Sequence, residues 1–192
     1  MDVVANSSFR QNKIPPLLFA LWVACASIGM MFAAFTSAYI VRQGAGNWLE
    51  FAMPHIFYVS AGVMLISSIT LQLSYSAFKK ENTLGYRLGL IATFILGFIF
   101  IGTQYQGWLD LAAIGVELTT NPSGSFVYVI SGIHAAHVLG GIGILIVALL
   151  HAFMLPHKVT TKRTLRFRLT LTYWHFVDAL WLYLLFFFTL YR

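Results

Sequence analysis

Charged residues are scarce in this sequence. Asp, Glu, Lys and Arg together make up 9% of the 192 residues, whereas hydrophobic residues make up 59%. Soluble globular domains carry roughly 25% charged residues, which keep their surfaces solvated. The composition therefore excludes an ordinary soluble domain and indicates an integral membrane protein.

Cysteine and the common catalytic motifs are also nearly absent. Cys25 is the single cysteine, so the chain can form no disulfide within itself and has no CxxC pair for a metal or redox site. There is no HExxH motif and no phosphate-binding glycine loop, because "GGIG" at 140–143 lies inside an apolar run with no strand before it. We therefore predict no catalytic residue, no metal site and no cofactor within this chain.

Long apolar runs are abundant. A helix needs roughly 20 apolar residues to cross a bilayer, and continuous runs of this length favour helices over the alternating strands of a β-barrel. We predict an all-α, polytopic membrane protein with a polar N-terminal tail over residues 1–16 and a bundle of five transmembrane helices over residues 17–192. The five runs are Leu17–Val41, Ile56–Phe78, Leu88–Leu109, Phe126–Leu155 and Leu169–Tyr191.

The distribution of basic residues predicts the orientation. Ten of the twelve Lys and Arg residues fall in the tail and in the second and fourth connections, and only Arg42 and Arg192 fall on the other side. Short cytoplasmic loops retain basic residues, so we predict the N-terminus inside and the C-terminus outside. The net charge of +6 then reflects topology beside anionic headgroups, and it does not indicate a nucleic-acid partner.

Two polar clusters interrupt the apolar runs. One is "YWHFVDALWLY" at 173–183, and the other is "SGIHAAHVLGG" at 131–141. A charged side chain at membrane depth is costly and persists only with a partner or a task. Counting along the antiparallel fourth and fifth helices puts His137 near the depth of Asp178, so we expect Asp178 to accept hydrogen bonds from histidine or tryptophan and to hold the helices in register. The residues expected in this structural network are His134, His137, Trp174, His175, Asp178 and Trp181.

The same clusters allow other interpretations. Intramembrane Asp and His chains mark proton relays, and histidines from two helices can ligate haem if a pocket and a supporting partner are present. An intramembrane serine protease would pair Ser125 or Ser131 with His175, but no nucleophile motif accompanies them. A small ion or solute transporter would ordinarily show broken helices or inverted repeats, and the sequence shows neither.

Three segments carry a family resemblance. "YWHFVDALWLY" resembles the final-helix signature of subunit III of the haem-copper oxidases, which include cytochrome c oxidase and quinol oxidase. "GSFVYVISGIHAAHVLGG" at 124–141 is similar to the preceding helix of that family, and "MMFAAFTSAYIV" at 30–41 is similar to the third helix of its seven-helix members. The chain resembles the short five-helix bacterial type. It departs from the family at Ile28, where a buried glutamate is usual.

The resemblance implies a non-catalytic accessory subunit III of a respiratory terminal oxidase that reduces oxygen to water in the bacterial inner membrane. It implies that haem and copper belong to partner subunits, that subunit I is the direct partner, and that subunit II and subunit IV are further candidates. It also implies phospholipid binding and support of proton uptake. An accessory protein of nitric oxide reductase is the alternative within this fold. By analogy, the basic residues expected to contact lipid headgroups are Lys162, Arg163, Arg166 and Arg168.

Overall fold

The chain folds into long helices. The structure, a computed structural model, describes residues 14–119, 121–155 and 159–191. Within these residues five helices are each long and apolar enough to cross a membrane, which confirms the prediction of an all-α membrane protein with five spans. Residues 1–13 of the expected tail lie outside the described residues. The helices are α1 (Pro16–Gly44), α2 (His55–Lys79), α3 (Thr83–Ala113), α4 (Pro122–Met154) and α5 (Thr161–Leu190).

The helices extend beyond the apolar runs because capping residues set where they begin. The Asn82 side chain accepts a hydrogen bond from Gly85 N at 3.0 Å, and the Asn121 side chain accepts one from Ser123 N at 3.0 Å. Each cap satisfies an amide of the first turn that has no partner within the helix. Helices α3 and α4 therefore begin several residues before their first long apolar stretch.

Helix α5 differs most from its prediction. The basic segment 162–168, expected as part of a connection, forms the first two turns of the helix, and Thr160 caps it by accepting a hydrogen bond from Arg163 N at 3.4 Å. Phe167 is buried and packs its ring against those of Tyr75 and Tyr86. The segment is amphipathic, so its apolar face packs inward, while Lys162, Arg166 and Arg168 are exposed and Arg163 is half-buried.

Helix α5 lies at the centre of the bundle. It packs against α1, α2 and α4, while α2 forms a tight hairpin with α3, and α4 also contacts α1 and α3. The hairpin is close because Gly89 of α3 lies against Ser74 of α2: a Cβ at Gly89 would lie 2.6 Å from Ser74 Cβ. This arrangement buries most of the polar face of α5 between its neighbours.

Candidate functional site

The polar face of α5 is buried in the bundle. Trp174, Asp178 and Trp181 are 1%, 5% and 1% exposed, and His175 is half-buried at the margin. Glycines make room for the first tryptophan, because a Cβ at Gly97 or Gly141 would lie 3.1 Å from atoms of the Trp174 ring. The sequence-predicted face of α5 therefore packs against three other helices.

The two tryptophans donate hydrogen bonds to serines of α2. Trp174 Nε1 donates to Ser67 Oγ at 2.9 Å, and Trp181 Nε1 donates to Ser60 Oγ at 3.0 Å. Both the tryptophans and the serines are seven residues apart, which is about 10 Å along a helix. Since α2 and α5 run antiparallel, the two bonds form in the same register and tie the helices together at two depths.

Ser60 also joins α3 to this contact. Gln104 Nε2 donates to Ser60 Oγ at 3.1 Å, and Ser60 Oγ in turn donates to the Phe57 carbonyl at 2.7 Å. Gln104 and Ser60 are 1% and 0% exposed. One hydroxyl therefore bonds three helical segments in the buried interior of the bundle.

The serines of α2 were missed as candidate residues from the sequence. Ser60, Ser67 and Ser74 recur every seven residues and are all fully buried. Ser74 Oγ donates to the Tyr86 carbonyl of α3 at 2.8 Å. The sequence signal was this seven-residue spacing, which places the three hydroxyls on one face of a helix. The same spacing is typical of small residues that only pack between helices, so by itself it does not predict hydrogen bonds.

Asp178 does not accept the tryptophan hydrogen bonds that were expected. Its carboxyl group lies near the side chains of Ser68 and His175. Ser68 Oγ shares a hydrogen bond of 2.8 Å with His175 Nδ1, so the hydroxyl is engaged by the histidine. Asp178 Oδ1 has no hydrogen-bond partner among the described residues.

The structure does not bring the histidines of α4 to Asp178. His137 Nδ1 bonds to the Ile133 carbonyl of its own helix at 2.8 Å, and its ring lies 5.8 Å from that of Phe32 of α1. At this position α5 bonds the backbone of α4 and not the histidine side chain, because Tyr173 OH donates to the His137 carbonyl at 3.0 Å. Trp174 lies against Gly141 and Trp181 stacks on His134, so His137 and Asp178 lie at the same level of the α4–α5 pair. Their side chains nevertheless have different neighbours.

His134 is enclosed by aromatic rings. It is 0% exposed, stacks on Trp181 with ring centroids 5.1 Å apart, and contacts the edges of Phe32 and Phe100. Neither ring nitrogen has a hydrogen-bond partner among the described residues. The imidazole therefore contributes to packing through its ring.

The alternative catalytic pairings are not assembled. Ser131 Oγ bonds to the Val127 carbonyl and accepts from Trp108 Nε1, and Ser125 Oγ donates to the Leu118 carbonyl. His175 bonds to Ser68 instead of either serine. Over the described parts of the chain, no three His, Cys, Asp or Glu side chains come together in a metal-binding arrangement.

Two of the four basic residues proposed for headgroup contact line a cavity. The cavity, of about 560 Å³, opens at the end of the bundle where α4 ends and α5 begins. Its walls are mainly apolar and include Leu21, Ile144 and Phe167, while Arg163 and Arg166 contribute charge. Lys162 and Arg168 are exposed and do not line it.

Fold and site together define the class. This is a multi-pass helical membrane protein in which intramembrane polar side chains link helices to one another through serine, tryptophan, glutamine and histidine. Hydrogen bonds between polar side chains of neighbouring helices are a general feature of helix packing in membranes.

Comparison with known proteins identifies the family. The model of the family described as cytochrome c oxidase subunit III matches residues 17–192. Among the similar proteins, cytochrome c oxidase subunit 3 of Corynebacterium diphtheriae is 30% identical over 161 residues, which cover 80% of this chain and 77% of that protein. Cytochrome c oxidase subunit 3 of Thermostichus vulcanus is 29% identical over 174 residues, covering 87% of this chain and 83% of that protein.

The chain belongs to the cytochrome c oxidase subunit III family. The resemblance stated from the three sequence segments is thus confirmed, as is the expected function of an accessory subunit of a haem-copper terminal oxidase working in a complex with other oxidase subunits. Ile28, which stands where the family usually has glutamate, is half-buried in α1 and packs against the core.

Proposed function

We propose that this chain serves its oxidase as a scaffold beside the catalytic subunit I, and that subunits II and IV are further neighbours in the same complex. In this proposal, haem and copper are held by the partner subunits and the reduction of oxygen takes place there. The observation that carries it is the set of hydrogen bonds from Trp174 and Trp181 of α5 to α2.

The interhelical hydrogen bonds support a structural role. A side chain that bonds a neighbouring helix in the membrane contributes on average about 0.6 kcal/mol, with a maximum near 1.7 kcal/mol. Ser60, Ser67, Ser68 and Ser74 all make such bonds. Together they give α2, α3 and α5 a fixed relative position, which a partner subunit can recognise as one surface.

Copurification tests the scaffold proposal. The tagged chain, extracted from native membranes in mild detergent, is expected to bring with it a haem-containing polypeptide in fixed ratio. The measurement is the haem absorption spectrum and the subunit composition of the purified material. Recovery of the chain alone, or with a nitric oxide reductase, would overturn the assignment to this oxidase.

The proposed location is the bacterial inner membrane, with the N-terminus inside. In the described residues, seven basic side chains lie at the end shared by the α2–α3 and α4–α5 connections, whereas Arg42 lies at the opposite end. Retention of basic residues on the cytoplasmic side supports this orientation. The seven are Lys79, Lys80, Arg87, Lys162, Arg163, Arg166 and Arg168.

We also propose that the cavity at the start of α5 holds a phospholipid. Its apolar walls suit an acyl chain, and Arg163 and Arg166 lie where a phosphate group would be. Guanidinium groups recognise phosphate through charge-assisted hydrogen bonds. Lys162 and Arg168, which point elsewhere, are proposed to contact headgroups of the surrounding bilayer.

Two arginines two residues apart provide the test for lipid binding. Arg166→Gln is expected to reduce the phospholipid retained by the purified complex, because it removes a cation from the cavity. Arg168→Gln removes an equal charge that faces the surrounding bilayer and not the cavity, so the number of lipids retained in the cavity is expected to stay unchanged. Native mass spectrometry of the complex counts the bound lipids, and equal retention in the two variants would contradict the proposal.

A further inference from the structure

Two polar side chains lie on the outer surface of the bundle at hydrocarbon depth. Gln72 of α2 is exposed and His175 of α5 is half-buried. Gln72 lies seven residues before Lys79, where α2 ends, so it is about 10 Å from the charged end of the helix. Its neighbours Ile69 and Leu73 are 59% and 62% exposed, so the surface around it is apolar.

The hydrogen bonding of this pair is incomplete. Gln72 Oε1 lies 3.3 Å from His175 Nε2, which is longer than a typical hydrogen bond. Within residues 14–119, 121–155 and 159–191, no group accepts a hydrogen bond from Gln72 Nε2. Acyl chains offer no acceptor, and an unsatisfied polar group in hydrocarbon is costly. The amide therefore fits a protein neighbour better than lipid.

Ser68 orients the ring of His175, and the side chain next to the histidine on the outer face of α5 is small. Ser68 Oγ bonds His175 Nδ1 at 2.8 Å, so the other ring nitrogen faces outward with a fixed orientation. Ala179, one turn further along α5, is exposed. A small side chain lets another helix approach closely in the membrane. We call the outer surface formed by Gln72, Thr172, His175 and Ala179 the α2–α5 seam.

We propose that the α2–α5 seam is the docking surface for a transmembrane helix of the haem-carrying subunit, and that this helix brings a hydrogen-bond acceptor to Gln72. The inference rests on the proposed function, which places that subunit beside this chain. A transmembrane helix can present a side-chain or backbone acceptor at this depth, whereas a lipid tail cannot. The occupant is therefore a helix that presents a hydrogen-bond acceptor, from a side chain or from the backbone, about 10 Å below the membrane boundary.

Matched tryptophan substitutions test the seam. Ala179 and Ala136 are both exposed alanines near the middle of their helices, the first on the seam and the second on α4. In the tagged complex, Ala179→Trp is expected to lower the haem recovered per tagged chain at least about fivefold, because overpacking an interface is strongly unfavourable. Ala136→Trp is expected to leave this recovery unchanged. Gln72→Leu, which preserves packing, is expected to lower it about threefold.

The outcomes separate this inference from the proposed function. If the wild-type chain purifies without haem, both the proposed function and the docking inference are overturned. If it purifies with haem and neither Ala179→Trp nor Gln72→Leu changes the recovery, the seam faces lipid or a second copy of the chain and only the inference fails. Loss of haem in Ala136→Trp alone would show that the docking surface is on α4 and would also overturn the inference.

Discussion

Single hydroxyl groups organise the interior of this protein. Ser60 accepts hydrogen bonds from Trp181 and from Gln104, which lie on two different helices. Removing one hydroxyl would leave two buried N–H groups without a partner, and the penalty for unsatisfied donors exceeds the gain from any single bond. At this scale, the small residues of α2 matter as much as the large residues of α5.

Substitution of Ser60 is therefore expected to destabilise the protein. Ser60→Ala should lower the free energy of unfolding by about 1–3 kcal/mol, measured as a lower midpoint of thermal unfolding in detergent. Ser76→Ala is the matched control on the same helix, because Ser76 Oγ bonds the Gln72 carbonyl one turn away and no other group of the described residues. Equal midpoints for the two variants would show that the interhelical bonds carry little stability.

Asp178 is expected to act in structure and not in proton transfer. Asp178→Asn preserves the shape of the side chain near Ser68, so the assembled oxidase should translocate as many protons per oxygen as the wild type. Acidification after an oxygen pulse, measured on reconstituted vesicles, gives this ratio. Loss of translocation in a fully assembled variant would instead support the proton-relay interpretation.

Helix pairs are set by local complementarity between their faces. In the α2–α3 hairpin, Gly89 lies against Ser74, whose hydroxyl is bound to the Tyr86 carbonyl. Ser74 cannot withdraw from a larger neighbour without losing this bond. In α5, the buried Phe167 explains why a basic segment continues the helix instead of forming a loop. Each helix is therefore defined by its packed face as well as by its length.

The hairpin predicts opposite effects of the same substitution at two glycines of α3. Gly89→Ala places a methyl group 2.6 Å from Ser74 Cβ and is expected to cost about 1–3 kcal/mol through overpacking. Gly102→Ala meets no atom within 4 Å and should stabilise the helix by up to about 1 kcal/mol. Thermal unfolding of the two variants checks the sign, and a stabilised Gly89→Ala would contradict the described packing.

At the scale of the whole molecule, each of the five helices is long enough to cross the membrane, so the two ends of the bundle lie on opposite sides of it. The connections between α1 and α2 and between α3 and α4 then share one side, and the basic connections share the other. The cavity and the polar start of α5 lie on the basic side. In the orientation proposed above, with the N-terminus inside, the proposed lipid site faces the cytoplasm.

Labelling of introduced cysteines tests this topology. Thr119 and Val159 are exposed in connections at opposite ends of the bundle. In whole spheroplasts, Thr119→Cys is expected to react with a membrane-impermeant thiol reagent, and Val159→Cys only after permeabilisation. The native Cys25 is buried within α1 and serves as the unreactive background. The reverse pattern would mean that the N-terminus is outside.

The sequence by itself determined the five helices, the buried face of α5 and the family. Run length and helical spacing are local properties, so Trp174, Asp178 and Trp181 could be placed on one face without knowing any partner. The tertiary structure alone decided which groups meet. Depth counting did not show that His137 points to α1, nor that serines and not Asp178 receive the tryptophan hydrogen bonds. These pairings depend on the rotation of each helix about its axis, which is set by packing against several neighbours at once.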